Sequence, residues 1–327
     1  MLMSAGLGTR LKPFTDLEPK ALIPVMGVPT AQFSMDSLVR ANVQTIVANV
    51  HHQADVAKAG LEKLDRGKAR LIISDESALL MGSGGGIAKA LPHFGGNPFF
   101  WLNADVISDV DLNLLAKKHA LLRERYGVSL TLTLFAKPSG SGKYREVFLD
   151  PNASSDVGIV QGLGEVVAGR PYFVSVGVIE PELLKGISPN EPSDFLTQIL
   201  MPAVAQKKVG YFLTQGKWFD VGSPAVWLET HVAMIKMLET GQIPQSWRRR
   251  IELLNKRIAQ DVWISKDSKR YFKTAQIVAP AYFNSLGDST AQPPKLLGPD
   301  AVVYGDAFSY EGQFSKCIGL RGLISKV

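Results

Sequence analysis

Two glycines, an arginine and a lysine near the start of the chain are the first residues whose types and spacing could do chemistry. The run Ser4-Ala5-Gly6-Leu7-Gly8-Thr9-Arg10-Leu11 follows a very short apolar stretch, Met1-Leu2-Met3. Glycine lets the backbone approach a ligand closely and adopt positive φ. Successive N–H groups in such a turn make an anion-binding concavity. Arg10 adds a bidentate phosphate donor. Lys20, in Pro19-Lys20-Ala21-Leu22, adds a second cation, and Pro19 and Pro24 are expected to hold that segment rigid and non-helical. Taken alone, the loop serves either as a polyphosphate cradle or as a plain strand-to-helix turn. A second glycine-rich run, Gly82-Ser83-Gly84-Gly85-Gly86, reads as a loop between a strand and a helix. Two rival phosphate motifs fail. The dinucleotide fingerprint needs a third glycine where this chain has Leu11, and the P-loop pattern ending at Gly142-Lys143 has Lys137 for its first glycine and Tyr144 for its last residue. His51 and His52, with Asp55, lack the third-ligand spacing of a zinc site and read as strand-capping residues.

These loops need elements to carry them. Residues 45–50, 70–73 and 99–102 are short runs rich in β-branched and aromatic side chains, read as buried strands. Residues 31–41, 54–64 and 112–125 carry the spacing of helices. Strand–helix alternation predicts an α/β fold with a mainly parallel sheet covered by helices on both faces. Ligands then sit at the carboxyl ends of the strands. Further strands are expected at 129–135, 171–179 and 209–213, and helices at 181–184, 194–204, 224–238 and 247–259. A loop or hairpin tip is expected at 138–142. After about residue 230 the composition shifts to short apolar triplets between turn residues, read as a small β-rich appendage that suggests a short left-handed β-helix.

Composition narrows the function classes. The chain has 327 residues, 46% hydrophobic and 20% charged, an ordinary globular balance that excludes disorder and coiled coil as the main state. The single cysteine, Cys317, excludes an internal disulfide and a Cys-based zinc cluster, which fits a cytoplasmic setting. No stretch approaches the ~20 apolar residues of a membrane span, and the first residues lack the pattern of a signal peptide. The formal net charge of +6 reads either as a solvated basic surface or as a preference for anionic partners such as phosphates. The one dense basic block, Arg248-Arg249-Arg250, has no nucleic-acid-binding signature beside it.

The run Gly6-Leu7-Gly8-Thr9-Arg10-Leu11-Lys12-Pro13-Phe14-Thr15, followed by Pro19-Lys20-Ala21-Leu22-Ile23-Pro24-Val25, resembles the signature of the sugar-1-phosphate nucleotidylyltransferases. Val50-His51-His52 is similar to the strand end of the guanylyl and muramate-uridylyl branches. Leu102-Asn103-Ala104-Asp105-Val106 resembles a metal segment of the family, and Trp218-Phe219-Asp220-Val221-Gly222-Ser223-Pro224 a second one. The resemblance covers about residues 1 to 240. It implies a Rossmann-like sheet of the nucleotide-diphospho-sugar transferase type, with a catalytic domain at 1–240 and an accessory β-rich region at 241–327. The implied reaction is nucleoside triphosphate plus sugar 1-phosphate giving nucleotide-sugar plus pyrophosphate, the alternative being a catalytically silent nucleotide-sugar-binding regulatory relative. By resemblance, Arg10 grips the leaving pyrophosphate and Lys20 the α-phosphate. The backbone of Ala5, Gly6, Leu7, Gly8 and Thr9 wraps the triphosphate. Gly82, Gly84 and Gly85 pack on the base. Asn103, Gly177 and Glu165 serve the sugar, and Asp105 and Asp220 hold Mg²⁺. The expected partners are GTP or UTP and a sugar 1-phosphate, with homo-oligomerisation allowed and neither nucleic acid nor membrane involved.

The implied chemistry is physically consistent. Mg²⁺ takes one or two carboxylates plus phosphate oxygens. The attacking sugar phosphate is already anionic, so positioning and charge neutralisation suffice without a general base. Three features depart from the family pattern. Only three residues precede the first loop, so either the start lies upstream or the central strand is short. Ala104 stands where glycine is usual. Gly82-Ser83 replaces the Glu-Thr of the muramate-uridylyl branch, which leaves the base open between guanine and uracil.

Overall fold

The computed structural model describes residues 1–135, 144–150, 156–167, 171–260, 262–265, 276–277, 281–284, 296–297, 301–304, 313–314, 317–320 and 323–326. The loop expected at 138–142 lies outside them. The chain divides into two compact units, Met1–Gly6 with Ala31–Phe219, and Leu7–Thr30 with Asp220–Val327. The boundary expected near residue 240 falls inside the second unit.

The first unit is built on a mixed, mostly parallel sheet. Its strands run in the order Val157–Ile159, Val209–Thr214, Leu130–Phe135, Tyr172–Ile179, Phe99–Asn103, Leu2–Met3, Thr45–Val50, Arg70–Asp75. Tyr172–Ile179 is antiparallel to both its neighbours and Val157–Ile159 is antiparallel to Val209–Thr214; the other pairs are parallel. Strand Leu130–Phe135 shows that helices cover both faces. Leu130, Leu132 and Leu134 join a core cluster with Phe195, Ile199 and Ala203. Thr131, pointing the other way, bonds His119 of the helix Leu112–Tyr126 at 2.7 Å. That helix starts where the Asp111 carboxylate accepts from Asn113 N and Leu114 N, and stops at Gly127 with φ 64.

Two of the sequence expectations for helices need correction. Residues 82–86 are not a loop before a helix; they open the helix Gly82–Ala90. The reason is tertiary. A Cβ at Gly84 would lie 2.6 Å from Ser193 Oγ, and one at Gly85 2.7 Å from Glu191 O, so bare Cα atoms let a neighbouring segment close on the helix. The stretch 194–204 is helical as expected, a π-helical turn at Leu196–Leu200 continued by the α-helix Met201–Ala205. The helix expected through residue 259 ends at Leu254, and Asn255–Ala259 is a strand. Asn255 makes the change: its Nδ2 donates to Ile251 O at 2.9 Å while its backbone turns extended.

In the second unit the tail strands stack in parallel. Val262 faces Ala281, Ala281 faces Ala301, and Ala301 faces Cys317. A second parallel set, Gln276–Ile277, Leu296–Leu297 and Gln313–Phe314, alternates with the first along the chain, as in a β-solenoid. The helix Pro224–Thr240 packs against strands Ala301–Tyr304 and Cys317–Leu320 of this stack. On the same helix, His231 is fully buried. Its Nδ1–H donates to Trp227 O at 2.9 Å and its Nε2 accepts from Met26 N at 3.1 Å, so the native ring is neutral. Burial pushes the ring's pKa down to about 3, against a smaller upward pull from Trp227 O. A lowered folded-state value costs stability below the unfolded value of 6.5, because only the unfolded chain takes the proton there. Stability is therefore expected to fall as pH drops from about 6.5 towards 3, by up to ~1.4 kcal/mol per pH unit from this group. Urea midpoints across that range should decline more steeply in the wild type than in His231→Gln.

Candidate functional site

In the first unit, the carboxyl ends of the parallel strands Leu2–Met3, Thr45–Val50, Arg70–Asp75 and Phe99–Asn103 share one sheet edge. Ala5, Gly6, the glycine helix, Asn103 and Asp105 all lie at or just after these strand ends. Ser4 N donates to Asn49 Oδ1 at 2.8 Å and Ser4 Oγ to Asn49 O at 2.5 Å, which fixes where the first loop departs. At Gly6 an added Cβ would meet nothing within 4 Å, so this backbone is open to a ligand. The turn carrying Asp105 is held from two sides. Ala104 N donates to Met3 O at 2.9 Å, and Ser34 Oγ bonds Val106 O at 3.1 Å and Asn103 O at 3.3 Å. Asp105 is half-buried, whereas Ala104 is 1% exposed, so the methyl absent from the family's usual glycine is taken up by protein.

The chain leading to Asp220 is fixed just as firmly. Lys217 N donates to Asp109 Oδ1 at 2.6 Å, Asp109 N donates to Lys217 O at 3.2 Å, and the Trp218 indole donates to Val174 O at 3.0 Å. Gly177 lies opposite Trp101 and Leu132, and its missing Cβ would sit 2.8 Å from Thr131 O. Close strand packing therefore explains this glycine. Glu165 is exposed on the strand Gly162–Val167, paired with Tyr144–Phe148.

In the second unit the loop expected to hold phosphates has a defined shape. Gly8 takes φ 64, and its carbonyl accepts from Leu11 N at 2.9 Å and Thr15 Oγ1 at 3.0 Å. A Cβ there would meet Thr15 Cγ2 at 2.7 Å and Lys20 Cβ at 3.2 Å. Glycine is required twice over, for the dihedral and for the approach. The turn Thr9–Leu11 buries Leu11 and leaves Arg10 exposed. Lys20 opens a single 3₁₀ turn, Lys20–Leu22, so the segment between Pro19 and Pro24 is not wholly non-helical. Thr30 Oγ1 bonds Ala21 O at 3.0 Å and Lys20 O at 3.3 Å.

The hairpin that follows, Pro24–Val25 with Val28–Pro29, is strapped down by side chains from the C-terminal third. The Trp227 indole donates to Pro24 O at 2.7 Å, His231 accepts from Met26 N, and Asn255 Nδ2 donates to Met26 O at 2.7 Å. Phe14 sits edge-on to Trp227, with centroids 5.2 Å apart. At Gly222 the residues singled out by sequence meet. An added Cβ would lie 3.1 Å from Arg10 Nη2, 3.3 Å from Arg10 Cζ and 3.3 Å from Asp220 Oδ1. The guanidinium and the carboxylate thus converge on one bare Cα. Ser223 and Pro224 then start the helix, with Ser223 Oγ accepting from Val226 N at 3.4 Å.

Sequence reasoning missed Asn49, Glu76, Ser193, His231 and Asn255. Asn49 and Glu76 did leave a signal, a polar residue inside an apolar strand and a carboxylate just after another; both are 1% exposed. His51 donates from Nδ1 to Glu76 O at 2.7 Å, a strand-end role. No helix among the described residues is long and apolar enough to cross a membrane.

Two substitutions test this geometry. Gly222→Ala should displace the Arg10 guanidinium and lower kcat/KM roughly ten- to hundredfold while the melting temperature stays near wild type. Asn255→Ala leaves the buried Met26 carbonyl without this donor and should destabilise by about 1–3 kcal/mol in denaturant titration.

Comparison with known proteins gives the family. The nucleotidyl transferase family model matches residues 1–236. The chain is 34% identical over 228 residues to an N-acetylmuramate alpha-1-phosphate uridylyltransferase of Caulobacter vibrioides, covering 68% of this chain and 91% of that protein. It is 31% identical over 229 residues to a mannose-1-phosphate guanyltransferase of Aspergillus fumigatus, covering 68% of this chain and 60% of that protein. Among solved structures, HddC from Yersinia pseudotuberculosis, complexed with GMP-PN, superposes with a TM-score of 0.56 at 18% identity, over 71% of this chain and 97% of that one. A likeness at that identity speaks for the α/β fold. With the family model spanning residues 1–236 and relatives above 30% identity, the chain belongs to the sugar-1-phosphate nucleotidylyltransferases of the nucleotidyl transferase family.

Proposed function

We propose that the protein transfers a nucleotidyl group from GTP or UTP to a sugar 1-phosphate, releasing pyrophosphate, by in-line attack at the α-phosphorus with Mg²⁺ bound. The observation that carries this reading is the meeting of Arg10 and Asp220 over Gly222, next to a loop whose Gly8 has positive φ and packs on Lys20. A cation and a carboxylate held over one bare Cα suit a phosphate chain with its counter-ion.

In this reading Arg10 takes the departing pyrophosphate and Lys20 the α-phosphate. The backbone of residues 5–9 receives the phosphate chain, with Gly6 as the open approach. The helix start at Gly82, Gly84 and Gly85, with Gly84 and Gly85 themselves packed against the segment 191–193, is the candidate for the base side, and Asn103, Gly177 and Glu165 are the candidates for the sugar side. Asp105 and Asp220 are the residues that would hold Mg²⁺. Both are hard oxygen donors, Asp105 on a tightly held turn and Asp220 at the end of the strand Trp218–Asp220. One or two carboxylates are what Mg²⁺ takes when phosphate oxygens complete its shell, which supports this assignment. Bound there, the ion would supply neutralisation of phosphate charge. The sugar phosphate arrives ionised, so the protein's task is alignment and charge balance. Among relatives the named bases are uracil and guanine, which supports testing UTP and GTP first.

The test is magnesium-dependent pyrophosphate release with UTP or GTP against a panel of sugar 1-phosphates. Asp105→Asn is nearly isosteric but uncharged. It should lower turnover at least about hundredfold with an unchanged melting temperature. Wild-type turnover in that variant would remove Asp105 from the metal site. Absence of turnover by the wild type with every pair would favour a nucleotide-sugar-binding role.

A further inference from the structure

One buried carboxylate ties together three strand ends at the site edge of the first unit. Glu76, just past Arg70–Asp75, uses both oxygens. Its Oε1 accepts from Asn49 Nδ2 at 2.8 Å, and its Oε2 accepts from Met81 N at 3.1 Å, one residue before the glycine helix. Asn49 passes the connection on: its Oδ1 accepts from Ser4 N at 2.8 Å, at the head of the first glycine loop. Gly86 belongs to the same arrangement, because a Cβ there would lie 2.7 Å from Glu76 Oε1 and 2.9 Å from Asn49 Nδ2. The backbone of Glu76 is pinned as well, its N donating to Val50 O at 2.8 Å and its carbonyl accepting from His51. Burial raises the carboxyl's pKa, and the bonds from Asn49 and Met81 N oppose that rise.

The direction of every hydrogen bond in this chain is set. Ser4 N–H and Met81 N–H are backbone donors that cannot be reversed. Asn49 must therefore present oxygen to Ser4 and nitrogen to residue 76, and residue 76 must present oxygen to both partners. Only a carboxylate does that. A glutamine would face a donor with a donor at one of its two contacts. An ionised acceptor also makes the stronger bond.

We propose that Glu76 is a positioning residue for the nucleotide, setting through Asn49 the departure of the loop at residues 4–6 and directly the start of the glycine helix at Met81. Glu76 touches no reactant; it fixes the spacing between two backbone segments that take opposite ends of the nucleotide. This rests on the reading above, in which the first loop meets the phosphates and the glycine helix the base.

A polarity swap tests it. Glu76→Gln alone sets donor against donor, and Asn49→Asp alone sets carboxylate against carboxylate. Together they restore every contact. The carboxylate then at position 49 accepts from Ser4 N and from the amide nitrogen at position 76, and the amide oxygen at position 76 accepts from Met81 N. Affinity for UTP and GTP is measured by calorimetry, KM for nucleotide and for sugar 1-phosphate by pyrophosphate release, and amide exchange at Ser4 and Met81 by NMR. Each single variant should weaken nucleotide binding about tenfold or more, speed exchange at both amides, and leave the sugar-phosphate KM within about twofold. The double variant should return nucleotide affinity to within about threefold of wild type. Single variants with faster exchange but unchanged nucleotide affinity would overturn the proposal and leave a packing role. So would a double variant that regains slow exchange but not affinity. A wild-type protein that binds neither triphosphate would overturn the functional reading itself, and the positioning role with it.

Discussion

Leu2 and Met3 occupy the middle of the sheet, with parallel neighbours hydrogen-bonded on both sides. Leu2 is fully buried, and the flanking backbone is taken up by Leu102 N on Met1 O and Ala104 N on Met3 O. A strand this short has little intrinsic persistence against the usual ~5–6 residues. Its neighbours supply the order. In return it aligns Thr45–Val50 with Phe99–Asn103, so that Asn49, Ser4 and Asp105 leave the sheet at one edge. In a parallel sheet all carboxyl ends fall together, so a two-residue strand is enough to bring loops from distant parts of the sequence to one place.

The second unit meets a different constraint. The segment Leu7–Thr30 carries Arg10 and Lys20 yet has few regular backbone bonds of its own, only 3₁₀ turns and a hairpin of two-residue strands. Its order comes from the C-terminal third. Trp227, His231 and Asn255 saturate Pro24 O, Met26 N and Met26 O in turn. Each of these backbone groups would otherwise be buried without a partner, which is costly. The helix Pro224–Thr240 therefore carries two tasks. Its start is shaped by the segment containing Asp220, and its body holds the hairpin behind Lys20. The solenoid packed on that helix, with Trp263 Nε1 on Glu239 Oε1 at 3.1 Å, belongs to the same unit as the Leu7–Thr30 segment.

Glycine plays three distinct parts in this chemistry. At Gly8 it permits both a left-handed backbone and close contact with Thr15 and Lys20. At Gly222 it leaves room for Arg10 beside Asp220. At Gly84, Gly85 and Gly86 it lets the segment 191–193 and the Glu76–Asn49 pair approach a helix to distances that no Cβ tolerates. In each case the missing side chain makes space for another part of the protein. Gly6 is different, because nothing lies within 4 Å of its absent Cβ.

Local pattern and contiguous motifs carried the α/β class and the family. Alternating strands and helices prescribed a sheet covered on both faces. The runs around Gly8, Lys20, Asp105 and Asp220 marked the family, because turn-forming glycines and post-strand carboxylates are legible within a few residues. Contacts between distant segments settled everything else. They made residues 82–86 part of a helix, because the segment 191–195 satisfies their backbone with Ser193 O and caps the turn that propensity argues against. They broke the basic helix at Leu254, because Asn255 has a better use for its amide on Met26 O. They grouped residues 7–30 with residues 220–327 in one compact unit. They also made Glu76, an unremarked acid after a strand, the acceptor for two segments that meet only in the folded chain. Periodicity and motif spacing report what a residue does to its chain neighbours. Hydrogen-bond direction and the space left by an absent Cβ depend on partners many residues away, and those exist only once the chain has folded.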